Sequence, residues 1–227
     1  MPVYQLSNEI IFPDPSNSEP DGLLAVGGDL SPERLILAYS NGIFPWYSEN
    51  TPILWWSPDP RLILYSDDLK VSNSLKQTLK RGLFRVEFDT SFANVIQQCA
   101  AVNRKEQEET WITEEMQKAY TKLHDLGYAH SVEAYLDDEL VGGLYGLSLG
   151  KVFFGESMFH LKTDASKVAL YYLVEKLKLW NFDFIDAQVK TSHLVRMGAG
   201  EISREEYLGL LEASLDYESK IGKWTAE

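Results

Sequence analysis

An α/β fold built on a mixed sheet is what this sequence predicts, with a small N-terminal domain over residues 1–60 and a larger C-terminal one over 61–227. Three observations carry that expectation. Residues 128–159, YAHSVEAYLDDELVGGLYGLSLGKVFFGESMF, alternate like successive strands, with turns at Asp137-Asp138 and Leu149-Gly150. The next segment, DASKVALYYLVEKLKLW, puts Leu170, Leu173, Val174, Leu177 and Trp180 on one helical face and leads into a short strand, FDFIDAQV. Strand, helix, strand implies a crossover, and so a parallel pair beside antiparallel ones. Finally, the first sixty residues are rich in Pro, Gly and Trp while the rest has regular periods, which places a boundary near Pro60.

Taken in order, DLSPERLILAYSNG reads as a helix with Ser31 as N-cap, Pro32 at the first helical position and Gly42 just past the end. The following IFPWYSENTPILWWSPDPR reads as a loop stiffened by prolines. SLKQTLKRGLFR gathers Lys76, Lys80, Arg81 and Arg85 within about three helical turns, either a solvated face or a basic patch. TEEMQKAYTKLHDLG is a helix capped by Thr113 and stopped by Gly127, and the last helix opens at SREE, where Ser203 and Glu206 have capping-box spacing.

The 227 residues, 44% hydrophobic and 12% aromatic, suffice for a buried core. A net charge of −13 argues against broad, sequence-independent binding to nucleic acid, which needs many neutralised phosphates, but leaves room for a small local contact. The single cysteine, Cys99, cannot form an intramolecular disulfide, and the opening MPVYQLSNEI lacks the features of a secretory signal, so a cytoplasmic location is expected. No run approaches the ~20 apolar residues that cross a bilayer.

Glu156 is the puzzle. It interrupts an apolar strand, and an ionised carboxylate there must be paired, exposed or functional, because burial without a partner costs several kcal/mol. Asp186 and Gln188, two apart on the next strand, should share one face while Ile185, Ala187 and Val189 take the other. That face is either an exposed edge or part of a site. Trp46, Trp55, Trp56 and Trp111 lie in or beside loops, where an indole stacks on a base or plugs a junction. His193 has no nucleophile motif nearby, and His124, His130 and His160 lack metal-ligand spacing, so neither a metal nor a covalent intermediate is expected. GGLYG and GLSLG lack the strand-to-helix context of a phosphate loop or dinucleotide fingerprint.

Taken together, DGLLAVGGDLSPERL, GIFPWYSENTPILWWSPDPR, TWITEEM, AHSVEAY, LVGGLYG, FFGESMF, DASKVAL, IDAQV and HL followed by MGAGEISREEY closely resemble the bacterial leucyl/phenylalanyl-tRNA–protein transferases over nearly the whole chain. The resemblance implies transfer of Leu or Phe, and less readily Met, from aminoacyl-tRNA to proteins beginning with Arg or Lys, which marks them for the N-degron route. It implies an acetyltransferase-like (GNAT-type) C-terminal domain that uses no acetyl-CoA and no other cofactor. It also assigns roles to matched positions: Glu156, Asp186 and Gln188 as the catalytic cluster, Trp46 and Trp111 near the terminal adenosine, and Leu144, Phe153, Met158, Leu170, Leu173 and Ile185 as an aminoacyl pocket. It gives the Lys76–Arg85 cluster a use at the tRNA backbone. A monomer is expected, since no extended heptad pattern is evident.

Within that pattern, Asp186 is expected to orient or deprotonate the incoming amine, and the Gln188 amide to donate toward the carbonyl or relay a proton. The chain departs from the family at His160-Leu161, where Ser-Arg is expected, at Asn103 and Glu109, and at Val195-Arg196-Met197. Three rivals remain: an acetyl-CoA acetyltransferase, although FHLKTDASK lacks a glycine-rich pyrophosphate cradle; a module that only binds N-terminal peptides or tRNA ends; and a transferase adding Leu to acidic N-termini.

Overall fold

The computed structural model describes residues 3–102 and 111–226; Asn103, Glu109 and Thr110 lie outside them. The chain begins with β1 (Tyr4–Leu6), β2 (Leu23–Gly27), α1 (Pro32–Ser40), β3 (Phe44–Pro45) and β4 (Leu54–Trp56), whose strands form one sheet in the order β1-β2-β4-β3. Helix α1 starts as its sequence dictates: the Ser31 hydroxyl accepts from the Arg34 N–H, and Pro32 opens the first turn. Gly42 follows with φ +69°, and a Cβ there would lie 2.7 Å from the Tyr207 ring.

The stretch expected to be a loop holds β3 and β4. Its two apolar pieces, on either side of the polar SENT, pair as a hairpin in which Trp46 N–H donates to Leu54 O and Trp56 Nε1 to Trp46 O. Trp55 is fully buried and donates from Nε1 to Gly27 O at 2.8 Å, so it plugs the interior of the sheet.

The second sheet contains β5 (Arg61–Leu64), β6 (Arg85–Phe88), β7 (Ala129–Leu136), β8 (Glu139–Leu149), β9 (Val152–His160), β10 (Phe184–Gln188) and β11 (Gly200–Ile202). Between them lie α2 (Asn73–Arg81), α3 (Phe92–Ala101), α4 (Glu114–Asp125), α5 (Ala165–Leu179) and α6 (Ser192–Arg196), with α7 (Arg204–Leu215) last. The strand order is β11-β5-β10-β9-β8-β7-β6. Every neighbouring pair is antiparallel except β9 and β10, which are joined through α5 and run parallel, so the crossover read from the pattern is present.

Two apolar layers flank this sheet. One runs continuously from Leu24, Leu35 and Trp55 to Phe92, Tyr120 and Phe154, and the other lies under α5 with Leu144, Phe153, Leu173, Leu177 and Ile185. Burying each such leucine is worth about 1.5–3 kcal/mol. The α5 stripe is buried at Leu170, Leu173, Val174 and Leu177, whereas Trp180 caps the helix end and packs on Trp224 at 4.9 Å between ring centroids.

Three local expectations are corrected. Arg85 does not continue the helix: Gly82 ends α2 in a left-handed conformation, and Arg85 stands on β6, bonded to Glu87 and Asp138. The second hairpin turns at Gly150-Lys151, one residue later than expected, because Leu149 still pairs with Val152. Asp186 and Gln188 do not share a face, for the reason given next.

Candidate active site

The β8–β9 ladder pairs Tyr145 with Ser157 and Gly146 with Gly155, so Glu156 is the extra residue of a bulge and has no partner across β8. A bulge reverses the alternation of a strand. Phe153 and Met158, five positions apart, would otherwise point to opposite faces, yet both line one cavity. Strand β10 carries a second bulge: against β5, Asp186 pairs with Ile63 and Gln188 with Leu62, which leaves Ala187 extra and Gln188 at φ +61°. Gln188 therefore faces the cavity, and Asp186 turns away from it.

The cavity has a volume of about 570 Å³. Leu144, Phe153, Met158, Leu170, Leu173 and Ile185, the six residues expected to form an apolar pocket, all line it, together with Trp46 and Trp111. Glu156 and Gln188 supply polar groups in its wall. Its remaining lining includes Lys190, Thr191 and His193 from the segment that leaves β10 and enters α6.

Glu156 Oε1 accepts from Tyr39 Oη at 2.6 Å and from Gln188 Nε2 at 2.7 Å. Tyr39 Oη is in turn hydrogen-bonded to Tyr120 Oη, so two buried phenols from α1 and α4 stand behind the carboxylate. Burial raises the Glu156 pKa to about 7, against the lowering pull of the Tyr39 and Gln188 hydrogen bonds, and the charge of Asp186 adds to the rise. Although Glu156 keeps a small exposed edge where it meets the cavity, protein surrounds it on the other sides, and that crowding governs its solvation. The same burial, with the carboxylate alongside, lifts both phenols well above the ordinary tyrosine value.

Asp186 is fully buried and does not line the cavity. Arg61 grips it with two parallel bonds, Nε to Oδ1 at 2.9 Å and Nη2 to Oδ2 at 2.6 Å. Tyr207 Oη donates to Oδ2 at 2.8 Å, and the Gln188 N–H donates to Oδ1 at 2.9 Å. Burial disfavours the Arg61 charge, but Asp186 outweighs it and holds the guanidinium above its ordinary pKa. Arg61 also lies over the rings of Phe44 and Tyr207. With its carboxylate oxygens engaged in this way, Asp186 holds the backbone of Gln188 and is not part of the cavity wall.

Tyr39, Tyr120, Arg61 and Tyr207 were not singled out in the sequence. The first two sit on helical faces where aromatic residues read as core. The signal that existed was glycine: Gly155 and Gly146 inside strands mark a bulge or a close approach, and a Cβ on Gly146 would lie 2.1 Å from Phe154 O. The basic residues Lys76, Lys80 and Arg81 are exposed on α2.

A mixed α/β fold in which an apolar chamber adjoins a hydrogen-bonded acid and amide is an arrangement suited to an enzyme that seats an apolar group beside a titratable carboxyl. The family model described as leucyl/phenylalanyl-tRNA protein transferase matches residues 63–212, and the model of that family's N-terminal domain matches residues 28–59. A leucyl/phenylalanyl-tRNA–protein transferase of Syntrophobacter fumaroxidans is 57% identical over 227 residues, 100% of this chain and 97% of the relative. Proteins of the same name from Desulfatibacillum aliphaticivorans and Legionella pneumophila (strain Paris) are 56% and 54% identical, covering 100% and 97% of this chain and 97% and 98% of their own. The chain belongs to the leucyl/phenylalanyl-tRNA–protein transferase family and is an aminoacyltransferase. Among solved structures, an aminoglycoside acetyltransferase from an uncultured soil metagenomic sample gives a remote likeness, TM-score 0.38 at 14% identity over 50% of this chain and 84% of that one.

Proposed function

We propose that this protein transfers Leu or Phe, and Met less readily, from aminoacyl-tRNA to the N-terminal Arg or Lys of acceptor proteins, forming a peptide bond and an N-degron for proteolysis. The observation that carries the reading is Glu156, set beside an apolar chamber, bonded to Gln188 and tuned to a pKa of about 7. A chamber walled by leucines, Phe153 and Met158 suits apolar side chains and rejects charged ones through the cost of desolvation. Trp46 and Trp111 offer indole faces to the terminal adenosine, and Lys76, Lys80 and Arg81 offer charge to the tRNA backbone. Arg85 is the weakest of the four basic positions, since Glu87 and Asp138 already neutralise it.

The acceptor's α-ammonium has an ordinary pKa of about 7.7–8.0. Glu156 takes its proton, and the freed amine attacks the ester carbonyl carbon. The C–N bond forms, the bond from that carbon to the ribose oxygen breaks, and the ribose oxygen leaves with the second proton, shed by the attacking nitrogen as it becomes the amide. Gln188, positioned by its bond to Glu156, has a second amide N–H to offer the developing oxyanion. Asp186 is a positioning residue, fixed by Arg61 and Tyr207, that sets the backbone of Gln188. This division replaces the expectation that Asp186 itself meets the amine.

We propose further that the protein acts as a cytoplasmic monomer, needs no cofactor, and divides near Pro60. The two sheets and the two family matches fall on either side of that point, while a common apolar layer joins them. Among the described residues no helix is long and apolar enough to cross a membrane. The test mixes purified protein with charged Leu-tRNA and peptides that start with Arg, Lys, Asp or Ala, each product read by mass spectrometry. Leu added to the Arg and Lys peptides alone, and lost in Glu156→Gln, is the expected result. Addition to the Asp peptide would point to the acidic-acceptor rival, and no addition to any peptide would leave binding without chemistry, or acetyl transfer.

A further inference from the structure

Three elements that line the cavity each carry a basic side chain one step further out, an imidazole on one and permanent cations on the other two. On β9, Met158 lines the chamber, and His160, two residues on, is exposed on the same face of the strand. On α5, Leu170 lines it, and Lys167 lies one helical turn earlier with its side chain 36% exposed. On α6, His193 lines it, and Arg196 follows one turn later, exposed and without a carboxylate partner among the described residues. The start of α5 packs directly against the far end of β9: Gly142 pairs with His160, and a Cβ on Gly142 would lie 2.5 Å from the Ala165 Cβ. His193 registers all three neighbours, since burial and then the charges of Lys167, Arg196 and His160 hold its pKa below the ordinary value.

In a chain of net charge −13, a lip bearing Lys167 and Arg196 with the imidazole of His160 beside them is out of keeping with the acidic balance of the molecule. Among the described residues its paired counter-charge is Asp164, which bonds Lys167 Nζ at 2.8 Å and Thr78 Oγ1 at 3.1 Å. The second of those bonds joins the lip to α2, where Lys76, Lys80 and Arg81 are exposed. Lys190, also in the cavity lining, is paired with Glu201. Acceptors that begin with Arg or Lys would be repelled here, whereas the donor is a polyanion.

We propose that His160, Lys167 and Arg196 form a phosphate-binding lip that holds the 3′ single strand of the donor RNA as it leaves the chamber, continuous through Thr78 with the basic face of α2. This rests on the donor being an aminoacyl-tRNA.

The experiment compares two donors, leucyl-tRNA and 3′-O-leucyl-adenosine, which lacks the phosphates, in transfer to an Arg-starting peptide by wild type and by the Lys167→Gln/Arg196→Gln double variant. The expected result is a several-fold rise in KM for leucyl-tRNA at little-changed kcat, with no matching rise for leucyl-adenosine. The slope of log(kcat/KM) against log[salt] for leucyl-tRNA should also become shallower by about 1.4, the release of two single-strand contacts. Lys167→Arg/Arg196→Lys, which keeps both charges, should restore the wild-type KM and so separates phosphate binding from damage to the fold. An equal effect on both donors, or an unchanged KM and salt slope with leucyl-tRNA, overturns the lip. If leucyl-adenosine proves too poor a donor for wild type, the salt slope and the charge-keeping variant decide. Wild type transferring from neither donor would instead overturn the transferase reading, and the lip with it.

Discussion

Gln188 donates its amide Nε2 to Glu156 Oε1 at 2.7 Å, across two parallel strands whose paired residues keep the same separation of 32 positions, Asp186 with Phe154 and Ile185 with Phe153. The two side chains are thus in register, one strand apart, and each stands at a bulge made against the other neighbouring strand. One bulge aims a single carboxylate at the chamber, and the adjacent one aims the amide that holds it. The carboxylate is thus held by the Tyr39 hydroxyl and the Gln188 amide, with its strand position set by the two bulges.

Glu156→Gln should therefore affect activity and stability in opposite directions. Loss of the base should lower kcat/KM by roughly 10²–10⁴-fold. The carboxyl has its folded-state pKa raised from 4.5 to about 7, so between those values the folded protein binds the proton more tightly than the unfolded chain does. Stability then falls as pH rises through that window, and the penalty is complete above about pH 7. The full shift corresponds to about 3 kcal/mol, and the exposed edge of Glu156 reduces this to roughly 1–2 kcal/mol. Denaturant unfolding should show the Gln variant more stable than wild type at pH 8 and no different at pH 4; equal stability at pH 8 would contradict the assignment.

Tyr39→Phe removes the hydroxyl that donates to Glu156 at 2.6 Å, an interaction that favours the ionised carboxylate. The Glu156 pKa should move further upward. In a pH series of kcat/KM, the acidic limb of the variant should be displaced to higher pH, with the rate recovering toward wild type above pH 8. Each unit of displacement corresponds to about 1.4 kcal/mol. A uniform loss at every pH would mean that the phenol acts by packing alone.

How much of this was legible in the residues differs from element to element. Helix α1, the crossover α5 and the opening of α7 follow from caps and stripes, because those signals are local and the structure obeys them at Ser31, Leu173 and Ser203. The polar cluster was visible as Glu156, Asp186 and Gln188, but its orientation was not. A bulge adds one residue without changing composition, so alternation put Asp186 and Gln188 on one face when they belong to two. Arg61 was hidden for another reason: in SPDPR it reads as a surface residue after a turn, and only the fold brings it 2.6 Å from a carboxylate 125 positions away.

Arg61→Met tests the division of labour between the two acids. Removing one partner of a buried pair leaves Asp186 as an uncompensated charge, which costs about 3–5 kcal/mol. Urea unfolding should show that loss near neutral pH, and the combined Arg61→Met/Asp186→Asn variant should regain part of it, since no buried charge is then left unpaired. Were Asp186 the acceptor of the amine's proton, the double variant would be as inactive as one lacking the base. As a positioning residue it should leave measurable transfer, with the acidic limb of the pH profile still set by Glu156.

The chamber wall gives the last prediction. Leu170 is 3% exposed and lines the cavity from α5, so Leu170→Phe adds bulk into open volume of about 570 Å³ while keeping the buried face apolar. Discrimination by an apolar pocket amounts to about 1–3 kcal/mol per methylene of misfit. The larger donor should lose most: the ratio of kcat/KM for Phe-tRNA over Leu-tRNA should fall by roughly tenfold or more, with transfer of Leu retained. The reverse change, Leu170→Ala, should relax the preference toward larger side chains, and it should lower stability by about 2–5 kcal/mol because a buried leucine leaves a void. Competition between the two charged tRNAs for one Arg-starting peptide, read by mass spectrometry, measures the ratio directly. A ratio that does not move in either variant would place the donor side chain elsewhere than against α5.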